Sequence, residues 1–464
     1  MSSRQDQLHS YQYSIQRVVA ALVTHDPDPA RSPLRRAGTT ALVSLLIASL
    51  AVGAAAIYGL FTGHSNTDAN DSKVVFQEKG TGARFVYLDS DRRLHPVLNY
   101  TSGLLLASAQ TPTLKGISPE KLAAVPLGDP LGIPDAPDSL PRADALITER
   151  WSVCSDNEGA NKSSRSTLLV GDKLTDGVVA ARAGKAVLVR DPDEQTYLVS
   201  GNRRFAIPAS RLVTTLRLLG WPDQQPWPVS AALINAIPPG PDLVAPAIPG
   251  TRGTPVSANL RVGQLITDSR EVAVVLPDGQ AAVTEMQARL LQALPGVGEP
   301  VDIGADFATL LPDSRTRLAD TSDPDGLPAT VPELADGTPS KLCITLPVDP
   351  KTGDGIRIDP TVPDGVSVSG VGSAPSAVLA DLVHVARGRG AVTVVAASPS
   401  APASNGTVSI VTDTGRQYPL ASRDLLTKLG YGKVKPRQIP SPLIALLPFG
   451  PSLDPARARQ TDPQ

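Results

Sequence analysis

Few residues of this chain are spaced for chemistry, and each set can be tested against what a reaction demands. A phosphate-binding loop needs Gly-x4-Gly-Lys-Ser/Thr, so that backbone amides cradle the phosphates and the hydroxyl holds magnesium. No such string occurs. The nearest, Gly430-Tyr431-Gly432-Lys433-Val434, lacks both the spacing and the hydroxyl, and reads as a helix-capping glycine followed by a turn. Gly370-Val371-Gly372 and Gly388-Arg389-Gly390 stand alone. The histidines, His9, His25, His64, His95 and His384, share no ligand spacing, so no metal ligand is expected. His95 falls in a predicted hairpin and His384 in a predicted helix, each as a packing or solvent-facing side chain. There is no Gly-x-Ser-x-Gly elbow. Trp151, Trp221 and Trp227 read as packing aromatics and not as a ligand cage. No catalytic residue and no cofactor-binding residue is predicted.

What the sequence does carry is an address. Residues 37–61, with Ala37 and Phe61 as the ends, hold no charged side chain, and about 20 apolar residues suffice to cross a bilayer. Arg31, Arg35 and Arg36 precede the run, while Asp68 and Asp71 follow it and no Lys or Arg returns until Lys73. Cationic flanks stay in the cytoplasm. The expected topology is single-pass in the cell membrane, with the N-terminus cytoplasmic and the bulk of the chain extracytoplasmic. A cleaved signal peptide ending near Ala54-Ala55-Ala56 is the alternative, but the leading segment and the apolar run are both too long for one. Cys154 and Cys343 then lie in an oxidising compartment, and two cysteines there predict a disulfide; a catalytic Cys–His pair is the competing role.

Upstream of the span, Leu8, Tyr11, Ile15, Val18, Val19 and Leu22 recur at spacings of three and four. They predict an amphipathic helix that ends before Asp26-Pro27-Asp28-Pro29. Such a helix is marginal alone, and its apolar face carries little Lys or Arg. It is expected to dock on a cytoplasmic partner. A net charge of −2 gives no pull toward nucleic acid.

Beyond the membrane one pattern recurs. Leu233-Ile234-x-x-Ile237-Pro238-x-Gly240-Pro241-x-Leu243 matches Leu443-Ile444-x-x-Leu447-Pro448-x-Gly450-Pro451-x-Leu453, and Leu122-x-x-Val125-Pro126-x-Gly128 is a shorter copy. Each copy follows a predicted hairpin and helix. The hairpins pair 85–88 with 94–97, 197–199 with 205–207, 274–276 with 281–283, and 408–411 with 417–420. Ser210 is expected to cap a helix that buries Leu212, Val213, Leu216 and Leu219 before Gly220. Ser422 is expected to cap one with Leu425, Leu426 and Leu429 before Gly430. Four short apolar runs, 166–170, 186–189, 342–346 and 392–396, read as strands of a separate central sheet. With 45 Pro and 38 Gly, short elements joined by turns are favoured over long helices.

The expected fold class is α+β: a single N-terminal transmembrane helix, then an elongated extracytoplasmic domain of four hairpin-helix repeats around a central β-core. The boundaries read as a cytoplasmic amphipathic segment at 1–36, the membrane helix at 37–61 and a linker at 62–72. Repeat 1 follows at 73–150, the first part of the core at 151–190, repeat 2 at 191–250 and repeat 3 at 251–320. A linker at 321–341, the second part of the core at 342–400, repeat 4 at 401–453 and a disordered tail at 454–464 complete the chain.

Several strings resemble one family. Arg4-Gln5-Asp6-Gln7, Ser10-Tyr11 and Val18-Val19-Ala20-Ala21-Leu22 resemble the N-terminal signature of EccB, the single-pass membrane component of the type VII (ESX) secretion machinery of actinobacteria. So do Thr81-Gly82-Ala83-Arg84-Phe85-Val86-Tyr87-Leu88 and Pro96-Val97-Leu98-Asn99-Tyr100-Thr101-Ser102. Gly132-Ile133-Pro134-Asp135-Ala136-Pro137-Asp138-Ser139-Leu140-Pro141, then Trp151 and Cys154, also fit. The link from His64 to Ser72 is shorter than the family pattern. The resemblance implies a periplasmic scaffold with pseudo-twofold symmetry and self-association there. It also implies partners: an EccC-type ATPase, EccD-like and EccE-like subunits and a mycosin-like protease. The family carries an ATPase label, so ATP is the one cofactor it implies, although no residue pattern supports it. A membrane-tethered ATPase or cell-wall hydrolase, and a cell-wall binding module, are the alternatives to a scaffold.

Overall fold

The computed structural model describes residues 4–24, 33–62, 68–157, 164–180, 184–257, 259–320, 323, 325–337, 339–347, 355–367, 378–395 and 406–460. Helix α1 is Arg4–Thr24 and helix α2 is Pro33–Thr62. Within α2, Thr39–Tyr58 is long and apolar enough to cross a membrane, and none of its most apolar stretch is buried. The rest is a mixed α/β body in which strands dominate.

Four small sheets share one strand order. In the first, Arg93–Pro96, Arg84–Leu88, Val74–Glu78 and Thr113–Ile117 lie side by side. The first three are antiparallel neighbours, and the fourth pairs in parallel after a helix, Tyr100–Leu106. The same arrangement recurs with Arg203–Ile207, Thr196–Ser200, Lys185–Arg190 and Trp227–Pro228, with Gly279–Val283, Val272–Leu276, Leu265–Thr267 and Val301–Asp302, and with Gln417–Pro419, Thr407–Val411, Ala391–Val395 and Arg437–Gln438. A parallel return needs a crossover connection, and the helix in each unit supplies it.

A seven-stranded central sheet runs Val366–Ser367, Leu382–His384, Arg165–Val170, Trp151–Asp156, Lys341–Leu346, Ile356–Ile358 and Val178–Val179. Its middle strands are buried on both faces, so their sequences read as continuous runs and not as alternation. That explains a correction. The runs at 186–189 and 392–396 are not strands of the central sheet; they belong to Lys185–Arg190 and Ala391–Val395, inner strands of the second and fourth small sheets. Both are sandwiched between neighbours, and the same apolar signature arises in either sheet. Ala396 lies outside the described residues.

Other expectations change for local reasons. His384 ends a strand rather than a helix. Ser210 sits inside a 3-10 turn, Ala209–Arg211, and caps nothing, while Val213 points outward at 70% exposure. Helix Leu425–Lys428 starts after Asp424 without a side-chain cap from Ser422. The stretch 321–341, expected as a linker, supplies Glu333–Leu334, which pairs with Lys185–Arg190 and carries a Lys185–Glu333 ion pair. The tail expected to be disordered contains a turn of helix, Pro455–Ala458, whose Ala456 N–H bonds the Asp454 carboxylate and whose Ala458 is fully buried.

Core clusters show which units share an interior. The first and fourth small sheets do, through Val75, Leu105 and Ile133 beside Ile410, Leu426 and Tyr431. The second and third do, through Leu216 and Trp221 beside Met286 and Leu290. The second and fourth both pack on the central sheet, where Trp151, Ile344, Leu233 and Leu443 meet.

Candidate functional site

Cys154 and Cys343 face each other across adjacent antiparallel strands and are bonded, with Cα atoms 4.0 Å apart. The bond is buried with Leu169 and links residues 189 positions apart. Neither cysteine is a free thiol, so no cysteine nucleophile exists here.

Leu8, Tyr11, Ile15, Val18 and Leu22 are exposed along α1, from 45% for Ile15 to 73% for Leu22, while Val19 is half-buried. Ala20, which the spacing did not single out, is the buried one. Ala37, Phe61, Arg35 and Arg36 lie within α2; Arg31 lies outside the described residues, as do His25, His64 and Gly370-Val371-Gly372. Among the described residues there is no group of three or more metal-ligating side chains.

The glycine–lysine string near the C-terminus is a helix end. Gly430 has φ 89°, and Tyr431 N–H donates to Leu426 O over 2.6 Å. This is the left-handed closure that glycine permits. The Gly430 and Tyr431 amides are both spent on closing the helix. Tyr431 itself is buried; its hydroxyl donates to Pro141 O at 2.6 Å, and burial pushes the phenol well above its ordinary range.

Tyr431 therefore holds a segment that several other residues also hold. Asn99 Nδ2 donates to Ile133 O, Thr101 Oγ1 donates to Pro137 O, and Tyr100 N–H donates to Asp138 Oδ1 at 3.0 Å. Arg84 pairs with the same Asp138 oxygen. Burial works to raise the Asp138 carboxyl, but the bonds from Arg84 and Tyr100 hold it below its usual range. Residues 131–141 thus form a strap joining the first sheet to the fourth. Sequence reasoning quoted Arg84, Asn99, Thr101 and Asp138 as signature residues but gave them no role. Tyr431 appeared there only as the residue after Gly430.

His95 lies under the strap's approach. Its Nδ1 is 2.8 Å from Asp129 O and its Nε2 2.8 Å from Asp91 Oδ2. Burial favours the neutral Asp91 acid, yet the hydrogen bonds from His95 and the Arg93 N–H hold its carboxyl below the usual range. His384 Nδ1 meets Asp364 O, and its Nε2 lies 3.1 Å from Asp172 Oδ2 but poorly aligned. Trp151 and Trp227 are buried in the central core and Trp221 in that of the second and third sheets.

The family model for "Type VII secretion system ESX-1, transport TM domain B" matches residues 1–463. The ESX-3 secretion system ATPase EccB3 of Mycobacterium tuberculosis is 28% identical over 491 residues, covering 97% of this chain and 88% of that protein. The ESX-5 secretion system ATPase EccB5 of Mycobacterium marinum is 27% identical, covering 98% and 93%. The structure resembles a chain of the EccB3 dimer from the ESX-3 core complex, with TM-score 0.63 and 26% identity over 83% of this chain and 100% of that one. It also shares its fold with a chain of an intact ESX-5 inner membrane complex, with TM-score 0.63 and 24% identity over 100% and 96%.

Proposed function

The chain belongs to the EccB family of type VII (ESX) secretion proteins, and from that premise we propose that it is a membrane-anchored scaffold subunit of an ESX secretion complex. One observation carries the reading. Two consecutive helices, α1 and α2, leave most of their described large apolar side chains exposed, and apolar surface left in water must find a bilayer or a partner. The bilayer suits α2 by length. The stripe of α1, too short in cationic residues for a lipid surface, suits a neighbouring subunit inside the cell, of the EccC, EccD or EccE type. Arg31, Arg35 and Arg36 support a cytoplasmic N-terminus. The body would then lie outside, where the Cys154–Cys343 bond is at home.

We read the four small sheets as copies of one module, set around the central sheet in an elongated body. A mycosin-like protease and a second copy of the chain are the partners proposed for that side; a solved relative is titled as a dimer. The relatives are named ATPases. Here the nearest glycine–lysine string closes a helix, and we assign the energy input to a neighbouring EccC-type subunit, with no nucleotide held by this chain.

Deleting residues 1–24 tests the docking role. The truncated chain should remain in the membrane, keep its disulfide and resist proteolysis like the parent, yet fail to co-purify with the large complex. Normal assembly and secretion from the truncation would refute docking through α1.

A further inference from the structure

A cavity of about 590 Å³ lies at the seam between the central sheet and the fourth small sheet. Part of its wall comes from strands. Lys173 follows the strand Arg165–Val170, Arg357 belongs to Ile356–Ile358, and Arg437 belongs to Arg437–Gln438 of the fourth sheet. Arg150, just before the strand Trp151–Asp156, completes the cationic lining, and Glu149 and Asp172 are the two acids.

Glu149 is already engaged. Glu149 Oε2 accepts from Thr148 N–H at 2.9 Å and lies 3.9 Å from Arg389 Nη2. Burial works to raise its carboxyl, but backbone hydrogen bonds and the Arg389 and Lys173 charges hold it below its usual range. Asp172 Oδ2 lies 3.1 Å from His384 Nε2 without a hydrogen bond, so its charge remains in the wall. Two of the guanidinium groups, those of Arg357 and Arg437, lack a carboxylate partner among the described residues. Arg357 Nη1 donates to Asp176 O at 2.7 Å, a backbone carbonyl that brings no negative charge. Arg437 forms no ion pair among the described residues, whereas the Lys173 charge already acts on Glu149. A chain of net charge −2 thus brings two guanidinium groups without a carboxylate partner among the described residues to one concave site of a size that holds small ligands. Guanidinium forks fixed on strands match planar or tetrahedral oxyanions in two-point geometry.

We propose that this cavity is a binding site for a small polyanion, a ligand whose phosphate or carboxylate groups carry at least two negative charges, held chiefly by Arg357 and Arg437. The site joins the central sheet to the fourth unit, so an occupant would bridge the two. The proposal stands apart from the scaffold role and from any nucleotide reading of the Gly430 string.

The test is calorimetric titration of the full chain in detergent with inorganic pyrophosphate and, separately, with tricarballylate, both at constant ionic strength. Saturable binding of either is expected, and the two arms tell phosphate from carboxylate recognition. Losing one charge-assisted contact should weaken binding about tenfold or more in Arg437→Gln and in Arg357→Gln. Arg437→Lys, which keeps charge and loses the fork, should fall between. Arg289→Gln, in a separate cavity beside the third sheet, should bind like the parent. Near-ultraviolet circular dichroism establishes that each variant is folded. Absence of saturable binding by the parent chain, or equal binding by parent and folded Arg variants, overturns the proposal.

Discussion

At the scale of single residues, one contact recurs. In each unit a proline-led turn is clamped to the outer hairpin strand. Leu94 N–H donates to Pro126 O and Gly128 N–H to Leu94 O; Arg204 repeats this with Pro238 and Gly240, and Gln417 with Pro448 and Gly450. The next residue on the strand is His95, Phe205 or Tyr418, and its ring packs against that glycine, closer than any Cβ could allow. The third unit makes the same clamp between Gln280, Pro312 and Ser314, but the ring position is Ala281 and the glycine position is serine. Ring and glycine are present together or absent together, as close packing requires. Gly240→Ala should therefore cost about 1–3 kcal/mol by overpacking. Combining it with Phe205→Ala should recover part of that loss, a coupling that a double-mutant cycle in urea would measure. Additive costs would show that the ring and glycine do not meet. The Pro-x-Gly string was plain in the sequence; its ring partner, some 30 residues away, was not, because no local rule links them.

Among elements, the strap at 131–141 has the most consequence for its length. It carries no regular helix or strand, yet Asn99, Thr101, Tyr100, Arg84 and Tyr431 all bond to it. Asp138 receives two of these contacts, and its carboxyl is depressed in the folded state. A depressed carboxyl contributes stability above its unfolded value, and the contribution is lost as pH falls through the folded one. Because Asp138 is largely exposed, the effect is small. The melting temperature of the parent should fall below about pH 4 by more than that of Asp138→Asn, with the two curves parallel above about pH 5. Parallel curves throughout would remove Asp138 from the strap's anchorage. Hairpins at 197–207 and 408–420 were legible because apolar alternation flanks Gly-Asn and Asp-Thr-Gly turns. The 3-10 start that displaces Ser210, and the buried turn Pro455–Ala458, were not, since each depends on tertiary contacts overriding a local cue.

For the molecule as a whole, chain order and packing order differ. The first sheet joins the last, the second joins the third, and the central sheet lies between the second and fourth. The strands Trp151–Asp156 and Lys341–Leu346 bring distant halves together, and the Cys154–Cys343 bond fixes them. In the chain-entropy model a closed loop of this length is worth about 5 kcal/mol, which strain and residual structure reduce. Cys154→Ser with Cys343→Ser should lower the urea midpoint by an amount equal to several kcal/mol while leaving the fold intact. An unchanged midpoint would show that the central sheet needs no covalent tie. The sequence by itself determined the apolar run long enough to cross a membrane, the apolar spacing along α1, the hairpins and the family, because each is written in local periodicity, length or motif. Only the tertiary structure decided which sheet each apolar run joins, that the strap binds first unit to fourth, and that cationic side chains from separate segments line one cavity. Burial on both faces erases the alternation that would name a partner, and contacts between distant segments leave no trace in spacing.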